Sequence, residues 1–247
     1  MSDASDAALL TVDQLHAAYQ PGVDILQGLS LAVRRESLTL VIGPNGAGKS
    51  TLLRTIFGFL KPHAGGIRFL AESTLGLQPY EVKALGISYV PQDINTFPGL
   101  TVEENLRMGG WTFRRDRARL LAQIDKIYGI FPALAERRRT RAGDLSGGQG
   151  RMLSVAREMM SDPKLMLVDE PTAGLAPSLV DQVYELLLAV RRSIGATILL
   201  VDQNIEGAIA HADYVYMVNL GRIKTEGPPA EFGEERVREL IHECLLG

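Results

Sequence analysis

A phosphate-binding loop constrains this chain more than any other sequence feature. The pattern G-x-x-x-x-G-K-[ST] is met from Gly43 to Ser50. The loop and its continuation comprise Gly43, Pro44, Asn45, Gly46, Ala47, Gly48, Lys49, Ser50 and Thr51. An apolar run precedes it and a helical pattern follows, as the motif requires. Because its glycines turn backbone N–H groups towards phosphate oxygens, we expect Lys49 to reach the β- and γ-phosphates and Ser50 to meet Mg²⁺.

Composition excludes several classes of protein. The chain has 247 residues, 46% of them hydrophobic and 22% charged, which fits one soluble domain with an inserted subdomain. A net charge of -3 gives no basic footprint, so we expect no nucleic-acid partner. The single cysteine, Cys244, excludes an internal disulfide and suits a reducing compartment. Residues 1–8 lack the positive charge of a secretory signal, and apolar runs are shorter than the ~20 residues of a membrane span.

Apolar runs alternate with helical patterns along most of the chain. Predicted strands lie at residues 67–70, 87–90, 165–168 and 197–201, with helical patterns between the last three. Residues 9–33 read as small β-strands before the phosphate loop, residues 101–160 read as mainly helical, and the tail from Val237 has helical spacing. Buried strands alternating with helices predict a parallel sheet with helices on both of its faces.

Two acidic residues follow one of the buried strands. Asp169 and Glu170 come directly after the apolar run at residues 165–168. Since parallel strands deliver their carboxyl ends to the ligand crevice, these side chains should meet the bound phosphates. We expect Asp169 to hold Mg²⁺ through its water shell and Glu170 to orient or deprotonate the attacking water. The alternative is a pair of acids that merely caps the strand at the surface.

The segment Leu145-Ser146-Gly147-Gly148-Gln149 opens a further helical pattern. Ser146 and Gln149 form a capping box, S-x-x-Q, which by itself needs no function. A capped helix N-terminus that presents the Gly147 and Gly148 amides is also suited to a γ-phosphate. The local pattern therefore predicts the helix start and leaves its function open.

Taken in order, the phosphate loop, Gln92, the LSGGQ segment and the Asp169-Glu170 strand resemble the ATP-binding subunit of ABC transporters. LSGGQ beside a phosphate loop is highly specific to that superfamily, and the resemblance covers essentially the whole chain. It implies an α/β P-loop NTPase with a mostly parallel core sheet, an N-terminal antiparallel β subdomain and an inserted α-helical subdomain. It implies one domain over 8–247, with the nucleotide core and β subdomain at 8–92 and 161–230, the helical subdomain at 93–160 and a C-terminal helix at 231–247.

The resemblance also assigns roles to individual residues. Tyr19 resembles the aromatic residue that stacks on adenine, the alternative being a half-buried packing residue. Gln92 resembles the residue that touches Mg²⁺ and the attacking water and links the site to the helical subdomain, the alternative being a turn residue. Ser146, Gly147, Gly148 and Gln149 would close over the ATP held by a second subunit, giving two sites in a head-to-tail dimer.

Two positions depart from the usual family pattern. An Asp usually follows the Gly-Leu after the catalytic Glu, whereas Gly174-Leu175 leads here into Ala176. The switch position after the strand at 197–201 usually holds His, whereas Gln203 stands here. A Gln amide carries no charge, so a γ-phosphate contact by Gln203 would be a neutral hydrogen bond. Either departure would indicate slower or asymmetric hydrolysis, unless Gln203 only ends the strand.

These departures narrow the resemblance to the LivF-type ATPase of branched-chain (hydrophobic) amino acid importers, which pairs with a LivG-type ATPase. The segments that carry it are residues 97–106, 136–139, 174–177, 201–204 and 245–247. The implied partners are a second ATPase subunit, membrane permease subunits and, indirectly, a solute-binding protein, at the cytoplasmic face of the inner membrane. Urea or short-amide importers share much of the pattern. Three further candidate functions are a soluble ABC ATPase of a cytosolic assembly, a P-loop kinase and a non-catalytic nucleotide-binding partner.

Overall fold

A computed structural model describes residues 8–175 and 177–246. The strands are β1 (Ala8–Gln20), β2 (Val23–Arg34), β3 (Leu38–Ile42), β4 (Ala64–Phe69), β5 (Glu72–Ser73), β6 (Ile87–Val90), β7 (Leu165–Asp169), β8 (Thr197–Val201), β9 (Tyr214–Asn219) and β10 (Arg222–Gly227). The helices are α1 (Lys49–Ile56), α2 (Pro79–Ala84), α3 (Val102–Gly109), α4 (Arg117–Ile130), α5 (Pro132–Glu136), α6 (Gly147–Met159), α7 (Pro177–Ile194), α8 (Ile205–Ile209) and α9 (Glu234–Leu246).

The central sheet has the strand order β10-β9-β3-β8-β7-β6 across the described residues. Its strands are parallel except for the β9–β10 hairpin, which adds an antiparallel edge. The strands β3, β7 and β8 are buried along their whole length, as their predominantly apolar sequences predict. Their carboxyl ends carry the phosphate loop, Asp169 and Asp202, so the predicted crevice lies at this edge of the sheet.

Successive residues of the central strands pack into different cores. Leu40 and Ile42 join the helices α3, α4, α6 and α7 on one face. Val41, between them, packs on the other face with α1 and with strands of a second sheet. The predicted parallel sheet is therefore confirmed, but the prediction of helices on both faces is incomplete. An antiparallel sheet covers much of the second face, because its alternating apolar side chains provide the surface that helices would otherwise supply.

This second sheet has the order β2-β1-β4-β5 and is antiparallel throughout. The strands predicted as small pieces within residues 9–33 are instead two long strands of 13 and 12 residues. Register shifts along the β1–β2 pair interrupt the alternation of apolar and polar residues. In the sequence these interruptions resemble the ends of short strands. The β9–β10 hairpin was not predicted, since β10 alternates polar and half-buried residues at the sheet edge.

The helical region between β6 and β7 and the C-terminal helix α9 agree with the sequence prediction. Helix α3 starts with a capping box, in which the Thr101 hydroxyl accepts from the Glu104 N–H and Glu104 accepts from the Thr101 N–H. Arginines 137–139 and 141 lie after α5 and are exposed. Among the described residues, no helix has the length and apolar character needed to cross a membrane.

Candidate functional site

The phosphate loop lies between β3 and α1, as the motif requires. Gly43 has φ 149°, and a Cβ at this position would lie 2.1 Å from the Val218 carbonyl oxygen, so only glycine lets the loop pass this close to β9. Helix α1 begins after Gly48, which has φ 104° and caps the helix without a side chain. The first N–H groups of α1 therefore remain available to an anion.

The side chain of Lys49 turns back and lies inside the phosphate loop. Its ammonium group donates to the carbonyl oxygens of Gly43 at 2.9 Å and Pro44 at 3.1 Å, and the residue is buried. Burial lowers the pKa of Lys49, and the nearby carboxylates of Glu170, Asp169 and Asp202 oppose this shift. Among the described residues the Lys49 ammonium bonds only to neutral carbonyl oxygens, so it is ready to accept a polyphosphate.

A cavity of about 220 Å³ opens over the loop. It is lined by Ile25, Asn45, Gly46, Gly48, Lys49, Ser50, Thr51 and Glu170. The structure thus brings Glu170, predicted from a different part of the chain, to the same cavity as the phosphate loop. The combination of backbone donors, a cation and a carboxylate provides a phosphate cradle next to a potential base.

Asp169 lies beside Ser50, as the sequence predicts for a shared metal ion. The Ser50 hydroxyl donates to Asp169 Oδ1 at 2.8 Å, and the Tyr89 hydroxyl donates to Asp169 Oδ2 at 2.9 Å. A hydroxyl and a carboxylate at this distance offer the hard oxygen ligands that Mg²⁺ prefers, so the residues fit such an ion. The Tyr89 hydroxyl fixes the carboxylate orientation, a contact that the sequence does not indicate beyond placing Tyr89 in a strand.

Glu170 adopts a strained backbone conformation. Its φ is 43°, rare for a residue with a side chain, and its N–H donates to the Val201 carbonyl oxygen at 2.8 Å. The strain costs about 1–3 kcal/mol and is held by the surrounding sheet. Gln203 Nε2 donates to Glu170 Oε2 at 2.5 Å, so two of the three predicted catalytic residues, which also include Lys49, are in direct contact. Gln203 therefore does more than end a strand.

Burial raises the pKa of the Glu170 carboxyl, although the hydrogen bond from Gln203 and the charge of Lys49 both act to lower it. Since the folded-state pKa is raised, the fold favours the protonated form. Protonation of Glu170 therefore contributes stability to the fold that is fully present below the pKa of the unfolded state. This stability is lost as pH rises through the pKa of the folded state. At neutral pH the wild-type fold must hold an ionised carboxylate in a poorly solvated position.

We therefore predict that Glu170→Gln raises the melting temperature at pH 7.5 by about 2 °C or more, because an amide carries no desolvated charge. The gain should shrink as pH falls towards 4, where the wild-type carboxyl takes up a proton. Thermal unfolding of both proteins across this pH range measures the effect. The exposed Glu72→Gln change serves as control, and an equal gain at both pH values would contradict the prediction.

Asp202 organises the segment that carries Gln203. Its Oδ1 accepts from the Thr172 hydroxyl at 2.7 Å and from the N–H groups of Gln203 at 2.7 Å and Asn204 at 3.1 Å. Burial nevertheless raises the pKa of Asp202. The hydrogen bonds couple the ends of β7 and β8, so the positions of Glu170 and Gln203 depend on one another. The sequence shows Asp202 and Thr172 but not that they meet.

Gln92 is exposed, and within the described residues its side chain forms no hydrogen bond to Ser50 or Asp169. Its carbonyl oxygen instead accepts from Arg151 Nη2 at 2.5 Å, while Arg151 Nη1 donates to the Pro91 carbonyl oxygen at 3.0 Å. Arg151 is buried in α6, two residues after the LSGGQ segment. It ties that helix to the end of β6, a connection that the helical pattern alone could not predict.

The LSGGQ segment forms the predicted capping box at the start of α6. The Ser146 hydroxyl accepts from the Gln149 N–H at 3.3 Å, and Gln149 Oε1 accepts from the Ser146 N–H at 3.2 Å. Ser146 and Gly147 are exposed, and Gly148 is partly exposed. These residues do not line the phosphate cavity of their own chain as far as the structure is described. The helix N-terminus is thus presented outward, where a second molecule could reach it.

Tyr19 lies beside a different depression. It is 55% exposed, and its hydroxyl accepts a long hydrogen bond of 3.5 Å from Arg54 on α1. With Phe57, Phe59, Tyr80 and other residues it lines a groove of about 690 Å³. The structure does not place Tyr19 among the residues around the phosphate cavity. The predicted departure at Ala176 lies outside the described residues.

Residues 26–173, more than half of the chain, match a protein family described as ABC transporter. The chain is 41% identical to the Pseudomonas aeruginosa "High-affinity branched-chain amino acid transport ATP-binding protein BraG", over 87% of this chain and 91% of that protein. It is 36% identical to the Archaeoglobus fulgidus "Probable branched-chain amino acid transport ATP-binding protein LivF", over 94% of this chain and 98% of that protein.

Solved structures resemble this fold over nearly its whole length. The ADP conformation of an ATP-binding cassette of an ABC transporter superposes with a TM-score of 0.85 at 28% identity, covering 97% of this chain and 99% of that one. A nucleotide-free ATP-binding cassette superposes with a TM-score of 0.82 at 28% identity and the same coverage. The likeness thus includes both the central sheet and the helical region.

Proposed function

The chain belongs to the ABC transporter family of ATP-hydrolysing proteins, and from this membership we propose that it powers the uptake of branched-chain or related amino acids. The observation that carries the substrate class is its similarity to BraG and LivF over most of both chains. We place it as a peripheral subunit at the cytoplasmic face of the inner membrane. Its residues 8–247 act as one ATPase domain, with the helical subdomain at 93–160.

ATP hydrolysis in this proposal depends on positioning and charge stabilisation. Lys49 leaves the carbonyl oxygens of the loop and donates to the β- and γ-phosphates, while the loop N–H groups hold the remaining oxygens. Ser50 and Asp169, with Gln92, would hold Mg²⁺, which neutralises phosphate charge when bound. Glu170 accepts a proton from the attacking water, and its raised pKa makes it a better base than an exposed carboxylate.

Gln203 has two roles in succession. Without nucleotide its amide donates to Glu170, which holds the carboxylate at the cavity. When ATP is bound, the same amide donates to the γ-phosphate as a neutral hydrogen bond, and Glu170 turns to the water. Tyr19 stacks on the adenine after the β1–β2 hairpin moves towards the cavity, since this side chain is exposed and held by one long hydrogen bond.

A second ATPase subunit completes the site. The outward presentation of Ser146, Gly147 and Gly148 supports this proposal, because a capped helix N-terminus with exposed amides attracts a γ-phosphate. Gln149 holds the cap in place. The partner is either another copy or a LivG-type sibling, and the two form a head-to-tail dimer. Binding of ATP closes the dimer, and hydrolysis with phosphate release reopens it.

The groove beside Tyr19 is our proposed docking surface for the membrane permease. Its rim exposes 71% of Tyr80 and 56% of Phe59, large apolar side chains that monomeric surfaces rarely leave uncovered together. Tyr89 lines the groove and also donates to Asp169, and Arg157 contributes from α6. A displacement of the groove residues would therefore be transmitted through Tyr89 to the metal-binding carboxylate of Asp169 and through Arg157 to α6, which begins at the LSGGQ segment.

We predict that Tyr80→Ala weakens binding to the membrane subunits at least about tenfold, because exposed aromatic residues at a groove rim are typical anchors of an interface. Mg²⁺-ATP affinity of the isolated chain should stay unchanged, since Tyr80 does not line the phosphate cavity. Quantitative co-purification from detergent-solubilised membranes measures the effect. Val23→Ala, an exposed residue at the start of β2, is the control, and equal retention of both variants would contradict the assignment.

Reconstitution tests the proposed cargo. The chain is combined with its co-purifying membrane subunits in vesicles, and a solute-binding protein delivers leucine, isoleucine, valine, urea or a short amide. Stimulation of ATP turnover and uptake by branched-chain amino acids is expected. Stimulation only by urea or short amides would mean that one of these solutes, and not an amino acid, is the cargo. Purification without any membrane subunit would indicate a soluble ABC ATPase of an assembly system.

A further inference from the structure

Two histidines and an aspartate meet on the antiparallel sheet, away from the phosphate loop. His16 lies in β1, Asp24 in β2 and His63 just before β4. His16 pairs with Gln27 of β2 and with Ala64 of β4, so the strand register brings all three residues together. The His63 N–H also donates to the His16 carbonyl oxygen at 3.0 Å, which fixes the two histidines next to each other.

Their side chains converge on one point. Asp24 Oδ2 lies 3.3 Å from His16 Nδ1, and Asp24 Oδ1 lies 2.8 Å from His63 Nε2. One ligand atom from each residue lies within 4.8 Å of the others. Tetrahedral zinc with bonds of about 2.0–2.1 Å holds its ligand atoms about 3.3 Å apart, so small rotations of the side chains suffice to admit an ion.

The chemistry of the three ligands selects the type of ion. Two imidazole nitrogens and one carboxylate suit Zn²⁺ and its neighbours among the divalent transition metals, whereas Mg²⁺ and Ca²⁺ prefer oxygen ligands. The side chains of His16, Asp24 and His63 are 34%, 30% and 54% exposed, so an ion can enter from solvent. Gly28 lies beside the His16 ring, where a Cβ would come within 3.3 Å of His16 Nε2.

We propose that His16, Asp24 and His63 form a binding site for one divalent transition-metal ion, typified by Zn²⁺, with its fourth position open to water. The ion bridges β1, β2 and the segment before β4. It would stiffen the β1–β2 hairpin, which carries Tyr19 at one end and Ile25, a residue of the phosphate cavity, directly after Asp24. The site is separate from the magnesium site at Ser50 and Asp169 and needs no nucleotide.

Zinc binding to the full-length, tag-free protein tests the proposal, by competition with a chromophoric chelator in buffer without nucleotide. We expect one Zn²⁺ per chain, unaffected by millimolar Mg²⁺. His63→Gln and Asp24→Asn should each weaken binding at least about tenfold, since removing a ligand costs no less than removing a residue that supports one. His63 is more than half exposed, so this variant should fold normally. His242→Gln, which removes an exposed histidine from α9, should bind as the wild type does.

Thermal unfolding gives a second readout. At about a hundredfold excess of free Zn²⁺ over the wild-type Kd, the melting temperature of the wild-type protein should rise by about 5 °C, and that of His63→Gln should rise by no more than about half as much. Failure to bind Zn²⁺ at micromolar concentration would overturn the proposal. Equal affinity in the wild type and in both triad variants would also overturn it, because the ion would then lie elsewhere.

Discussion

Replacing Glu170 with glutamine is expected to lower the rate of ATP hydrolysis at least about a hundredfold, because the amide cannot take a proton from the attacking water. Mg²⁺-ATP binding should persist, since the phosphate loop, Lys49 and the Ser50–Asp169 pair remain. An ATP-bound, closed dimer should therefore accumulate. Steady-state phosphate release and light scattering with and without ATP measure the two effects.

The matched control for this change is Glu158→Gln. Glu158 is also buried, but it lies at the groove beside Tyr19 and not at the phosphate cavity. Its carboxylate forms ion pairs with Lys83 and Arg157. This variant should retain most of its hydrolysis rate, provided that it folds. Unchanged turnover in Glu170→Gln would show that Glu170 is not the base. Gln203 or a residue of the partner would then have to orient the water.

The second large effect is expected from Gly148→Asp in the LSGGQ segment. Among the described residues, a Cβ at this position would meet the Leu179 side chain at 3.5 Å, which is ordinary van der Waals contact, so the monomer can accept a side chain. An acidic residue in the first turn is also compatible with a helix N-terminus. Its negative charge would repel the γ-phosphate of the partner's ATP, and hydrolysis should fall at least about a hundredfold.

In contrast, nucleotide binding to the isolated Gly148→Asp chain should equal that of the wild type, because this residue does not line the chain's own cavity. The separation of binding from hydrolysis is what distinguishes a site completed by a second subunit. Gly129→Asp places the same change in α4, at a position with open space around the added Cβ. This control should change neither nucleotide binding nor hydrolysis. Loss of ATP binding in Gly148→Asp would contradict the two-subunit site.

The sequence predicts the parts of this molecule whose physics is local. Predominantly apolar strands, the glycine spacing of the phosphate loop and the Ser146–Gln149 capping box can each be read from neighbouring residues, and the structure contains them. The order of Asp169 and Glu170 after a buried strand predicts their place at the crevice for the same reason. Local sequence thus indicates both the fold class and the centre of the site.

Contacts between distant residues were not predictable in this way. Tyr89 meets Asp169 across 80 positions and Arg151 meets the carbonyl of Gln92 across 59, and periodicity marks such residues as buried without naming a partner. The union of His16, Asp24 and His63 depends on the register of three strands. Bulges that change this register are set by tertiary packing, which no single stretch of sequence reveals.

The phosphate loop is the feature on which the proposed function depends most, and equilibrium binding of Mg²⁺-ATP to the purified chain tests it most directly. Wild-type protein should bind one nucleotide per chain. Lys49→Ala should lose at least about a hundredfold in affinity, because it removes the buried cation that faces the phosphates, while Lys61→Ala, an exposed lysine, should bind normally. Absence of binding to the wild type, or equal affinity in Lys49→Ala, would contradict a phosphate-binding role for the loop.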